Sequence, residues 1–67
     1  MKRSHVTIAP GQVWCAGTER REIVDVDTGT LYTDKTVRVI DERGWSFILM
    51  LKSMRMWVTR KGAELME

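Results

Sequence analysis

Three runs in this chain alternate apolar and polar residues with a period of two, and short turn signals separate them. Arg21-Glu-Ile-Val-Asp-Val-Asp27 sets Val24 and Val26 on one face of an extended strand, with Ile23, Asp25 and Asp27 on the other. Thr36-Val-Arg-Val-Ile-Asp41 alternates Val37 and Val39 against Arg38, and Glu42-Arg43-Gly44 follows as a hairpin turn in which glycine takes the positive φ. The returning strand, Trp45 to Leu51, has one wholly apolar row (Trp45, Phe47, Leu49, Leu51) and one mixed row (Ser46, Ile48, Met50, Lys52). Strands joined by so short a turn must pair antiparallel, and an isolated hairpin is marginal in water, so other parts of the chain have to cover the apolar rows.

The rest of the sequence supplies that cover. Pro10-Gly11 fits the two central positions of a type II turn and leads into a first strand, Gln12 to Ala16, closed by Gly17-Thr18-Glu19. Thr28-Gly29-Thr30 turns the chain after the second strand. Ser53 is a preferred helix N-cap, Met54, Trp57 and Val58 recur at helical spacing, Arg60 and Lys61 suit the negative end of a helix, and Gly62 suits the position just beyond it. Ala63 to Met66 then reads as a short closing strand. The expected fold is mainly β, a small five-stranded SH3-like barrel with one short helix before the last strand. With 67 residues the chain holds one domain, residues 10–67, preceded by a mobile polar arm, residues 1–9.

The run PGQVW, then REIVDVD, then a hairpin, then Ser53, Trp57, Val58 and KGAEL resembles short single-domain SH3-like barrel proteins encoded by bacteriophages and prophages. The resemblance spans nearly the whole chain and is carried by turn, core and cap residues: Pro10, Gly11, Val13, Trp14, Ile23, Val24, Val26, Ser53, Trp57, Val58 and Gly62. It implies a fold rather than an active site, because one such fold hosts many functions. With no catalytic constellation in the chain and an apolar second face on its strands, the expected function is that of a non-enzymatic phage-type binding protein that modulates a host protein or complex by occupying its surface.

Several chemistries are disfavoured by the residues themselves. Cys15 and His5 stand alone, too few for a zinc site, and no cofactor motif is present. No apolar run reaches the roughly 18 residues of a membrane span, and the start lacks the apolar stretch of a secretion signal, so a soluble, cytoplasmic protein is expected. Asp27-Thr28-Gly29-Thr30 matches the Asp-Thr-Gly-Ser/Thr signature of aspartic proteases, but the chain lacks the flap and second strand system that bury such a dyad. Asp25 and Asp27 read as a solvated strand face, and no catalytic residue is assigned.

Two surfaces remain as candidates. Ile23, Ile40, Ile48 and Met50 fall opposite the residues assigned to the core, with Met54 and Met56 joining them; this apolar excess suggests an interface for a protein partner or a second copy. Arg20, Arg21, Arg38, Arg43, Lys52, Arg55 and Arg60 form the alternative, a nucleic-acid surface with Tyr32 and Trp45 as stacking groups, although Trp14, Trp45 and Trp57 all occupy positions expected of core aromatics. The net charge of +2 is modest, but Lys52 to Lys61 carries four cations and no acid. Capture of a small nucleotide ligand by an oligomer is a third possibility.

Overall fold

A computed structural model describes residues 6–31 and 33–66; His5 and Tyr32 lie outside them. Strands β1 (Val13–Ala16), β2 (Glu19–Asp27), β3 (Thr36–Asp41) and β4 (Ser46–Met50) are followed by helix α1 (Leu51–Lys61) and strand β5 (Glu64–Leu65). All five strands lie in one antiparallel sheet, ordered β4-β3-β2-β1-β5. The fold is therefore mainly β, with one short helix before the last strand, as the sequence implies. The sheet is covered by the one helix, two layers around a shared core.

The longest strand breaks the period-two expectation at one residue. Ile23 pairs with Val39 and Asp25 with Arg38, so Val24 is an extra residue, a β-bulge between the two pairs. The bulge changes the phase of the strand, placing Ile23 and Val26 on the same inner face. Ile23 is buried to 1% exposure, Val26 packs against the core, and Val24 is exposed. Ile23 thus belongs to the core and not to the outer face on which strict alternation places it.

Ile23, Val37 and Val39 form the sheet side of the core, and Trp14 closes it from β1. The helix side comes from Leu51, Met54, Trp57 and Val58, which recur every three or four residues and so share one stripe. Met54 is fully buried, which removes it from the expected interface. The helix also starts earlier than Ser53 suggests. Met50, extended at φ −70° and ψ 145°, is its N-cap and makes no side-chain capping bond. The Leu51 amide donates to the Lys35 carbonyl at 3.0 Å, so the sheet takes over the work of a cap. Gly62 ends the helix as expected, in the left-handed region at φ 65°, with its N–H donating to the Val58 carbonyl.

Pro10-Gly11 turns the chain into β1, Gly11 having φ 91° and the Gln12 amide closing the turn on the Ala9 carbonyl. The Gln12 side chain ties the entering segment down: its Oε1 accepts from the Ala9 amide and from Trp14 Nε1, and its Nε2 donates to the Thr7 carbonyl. Ile8 is consequently buried in the core, so the domain begins before residue 10.

Candidate functional site

Helix α1 contains Lys52, Arg55, Arg60 and Lys61 and no acidic residue. Its apolar stripe is occupied by the core, which leaves Lys52, Arg55, Met56, Thr59 and Arg60 exposed along the opposite side. Lys52, Arg55 and Arg60 make no ion pair among the described residues; only Lys61 does, to Glu19 at 3.3 Å. The result is a strip of cations standing free on a rigid element.

A groove adjoins each half of this strip. The first, of about 360 Å³, lies between the N-terminal half of α1 and the β2–β3 loop, and is lined by Lys35, Lys52 and Arg55, the threonines 28, 30 and 33, Asp34, and the apolar Met50 and Leu51. Lys35 is there because its carbonyl holds the first amide of the helix. In the loop, the Asp27 carboxylate accepts from the Gly29 amide at 2.9 Å, and the Thr30 and Thr33 side chains and amides bond to one another. The Asp27-Thr28-Gly29 motif therefore serves here as a turn closed by its own carboxylate.

The second groove, of about 380 Å³, runs beside the C-terminal half of α1 and is lined by Arg21, Leu49, Ser53, Met56, Trp57, Arg60 and Lys61. Arg21 sits among aromatics, its guanidinium carbon 4.4 Å from the Trp57 ring centre and 5.3 Å from that of Phe47, with Nη1 3.9 Å from Met54 Sδ. Contacts of this kind contribute about 0.5–2 kcal/mol, more as water is excluded. Burial lowers the Arg21 pKa from its ordinary value, while Glu19, Glu42 and Asp41 oppose that shift; an arginine stays charged at neutral pH regardless. Glu19 bonds two of the residues that line this groove, Trp57 and Lys61. It accepts from Trp57 Nε1 at 2.8 Å and pairs with Lys61, and these two partners hold its carboxyl below the usual range.

The seven cations expected to bind nucleic acid fall in three places. Arg21, Lys52, Arg55 and Arg60 lie on the helix side, joined by Lys61, the end of the basic run, and by Lys35, which the sequence does not point to. Lys35 joins the site only through the register of β3 against α1. Arg20 and Arg38 lie on the outer face of the sheet, Arg20 paired to Glu22 at 3.6 Å and Arg38 opposite Asp25. Arg43 is in the β3–β4 turn, whose form is set by Asp41: its carboxylate accepts from the Trp45 amide, the larger influence, and from the Arg43 amide, and these bonds hold its pKa below the ordinary value.

The expected apolar interface divides as well. With Ile23 and Met54 in the core, Ile40 and Met50 half-buried and Ile48 exposed remain on the outer sheet face, whereas Met56 is on the helix. Arg38, opposite Ile48, crosses that face with Asp25 in a shallow depression of about 100 Å³. Trp14 and Trp57 are buried as expected, but Trp45 is 68% exposed at the start of β4. Among the described residues no three His, Cys, Asp or Glu are grouped to hold a metal ion, and no helix is long and apolar enough to cross a membrane. Comparison with protein-family models, with curated proteins and with solved structures finds no match.

Proposed function

We propose that this chain is a non-enzymatic binding protein of the SH3-like type that holds single-stranded nucleic acid along the exposed side of α1. The observation that carries the reading is the acid-free helix, with Lys52, Arg55 and Arg60 unpaired and a groove on either flank. Phosphates are held by such cations whatever the base sequence, and each contact releases condensed counterions. Bases need flat surfaces to stack on; the Arg21 guanidinium over the Trp57 ring lines the second groove, and Trp45 is an exposed ring at the start of β4. A short strand threaded past Arg55 and Arg60 uses both features. Action in a host cytoplasm, in phage gene regulation, follows from the sequence resemblance alone.

A host protein bound on the outer sheet face is the second reading, favoured by the exposure of Ile48. The two readings separate in one experiment, the fluorescence anisotropy of labelled single-stranded oligonucleotides titrated with wild-type protein and with the Lys52→Ala, Arg55→Ala, Arg60→Ala triple variant. Wild type should bind and the triple variant should lose at least tenfold in affinity, whereas Ile48→Lys should retain binding. Equal affinities for wild type and the triple variant would remove the helix strip as the site. Competition by free mononucleotide at equal strength would point to small-ligand capture instead.

A further inference from the structure

β4 is an edge strand: β3 covers one side of it, and no described strand covers the other. The Asp41 amide donates to the Trp45 carbonyl and the Leu51 amide to the Lys35 carbonyl, so residues 45, 47, 49 and 51 turn their main chain toward β3. Ser46, Ile48 and Met50 therefore turn their amides outward, along the open edge. Trp45, Phe47 and Ile48, consecutive but for Ser46, are among the exposed large hydrophobic residues of the molecule, at 68%, 36% and 59%. A five-residue edge that is apolar but for Ser46, uncharged and free of proline lacks the charges and prolines by which edge strands avoid pairing.

From this edge we infer that two copies of the chain associate through β4 pairing antiparallel with β4, about a two-fold axis at Ile48. Two observations select a second copy as the occupant. The outward amides fall at Ser46, Ile48 and Met50, symmetric about Ile48, so a two-fold axis there lets Ile48 exchange both main-chain bonds with its copy while each Met50 amide reaches the other Ser46 carbonyl. The same register sets Phe47 of one copy against Leu49 of the other on the inner face, covering the exposed ring. It also brings the β3–β4 turn of one copy toward the first turn of the other's helix, beside a strand pair that carries no charge of its own. Head-to-tail pairing onto β5 is the poorer fit, because β5 has only two residues, Glu64–Leu65, to offer against five. The axis stands perpendicular to the joined sheet, so both helices lie on the same side. Resting on the proposed function, this arrangement presents two cationic strips to one nucleic-acid strand.

Sedimentation equilibrium of the purified chain, without nucleic acid, should give twice the chain mass at micromolar concentration and above. Ile48→Lys, which sets like charges against each other on the axis at an exposed position, should return the monomer mass while keeping the folded circular-dichroism spectrum, with a thermal midpoint that no longer rises with protein concentration. Ile48→Cys in a Cys15→Ser background should yield a covalent dimer on mild oxidation, because opposed residues of a bonded antiparallel pair lie within disulfide reach. A wild-type monomer at all concentrations would overturn the inference, as would a larger assembly or a dimer that survives Ile48→Lys and resists cross-linking at residue 48. These outcomes are independent of whether oligonucleotides bind. In the dimer, affinity should rise with oligonucleotide length more steeply for wild type than for Ile48→Lys, and equal rises would remove the bivalent use of the two strips.

Discussion

Met54 and Met56 stand two residues apart on one helix, and the structure gives them opposite roles. Met54 is fully buried between α1 and the sheet, under the Arg21 guanidinium; Met56 is 48% exposed on the cationic side. Met54→Ala removes side-chain volume from a core that numbers nine buried residues among those described, with little capacity to collapse around the loss. Buried Met→Ala changes cost about 2–5 kcal/mol. A domain of this size has a total stability of roughly 3–10 kcal/mol, and each kcal/mol moves its midpoint by about 4–8 °C. Met54→Ala should therefore lower the thermal midpoint by on the order of 10–30 °C, or leave the chain unfolded at room temperature. Met56→Ala, with the same atoms removed from a half-exposed site and alanine favoured in a helix, should change stability by about 0.5 kcal/mol or less. Urea titration followed by tryptophan fluorescence reads both, since Trp57 lies on the same buried stripe as Met54. Equal losses from the two substitutions, or a larger loss from Met56→Ala, would refute the placement of the helix stripe and with it the assignment of the free cations to the exposed side.

Further outcomes follow from other positions. Ile23→Asp should prevent folding while Val24→Asp is tolerated within about 1 kcal/mol, because the bulge puts the first inside and the second in solvent; the reverse order, read by circular dichroism, would mean unbroken alternation. Gly62→Ala should cost about 1 kcal/mol from its left-handed φ alone, since an added Cβ meets nothing within 4 Å, whereas at Gly29 a Cβ would approach the Thr33 carbonyl oxygen to 2.7 Å and should cost more. Asp41 and Glu19 both have pKa values lowered by folding. Their stabilisation is present above the ordinary carboxylate range and lost as pH falls through their folded values, so stability should drop below about pH 4. Asp41→Asn, which keeps an acceptor but removes the titration, should flatten that acid limb in pH-dependent urea titrations.

How much of this was legible beforehand depended on whether local pattern or register decided the matter. β3 and its hairpin read directly, because Val37 and Val39 alternate cleanly and Gly44 takes the φ of 89° that the turn requires. The C-terminal end of α1 read directly for the same reason, at Gly62. The bulge did not: Ile23 and Val24 are adjacent β-branched residues, either of which suits the core, and no glycine marks the extra residue. The start of the helix was hidden because Leu51 continues the apolar row of β4 while its amide is capped by a carbonyl 16 positions earlier in the chain. The site shared that fate. Lys52, Arg55 and Arg60 were visible as a basic run, but their separation from Arg20 and Arg38 depends on which face each strand residue takes. Exposure of Trp45 likewise follows from β4 being an edge, which no local pattern announces.

The salt dependence of oligonucleotide affinity bears most directly on the central claim. If Lys35, Lys52, Arg55 and Arg60 each neutralise a phosphate, the logarithm of the association constant should fall against the logarithm of salt concentration with a slope near about −3 for a single strand. Removing Arg55 by Arg55→Ala should make that slope shallower by about 0.7 and weaken all sequences alike. A slope near zero, or one unchanged by Arg55→Ala, would contradict the account of α1 as the nucleic-acid-binding element.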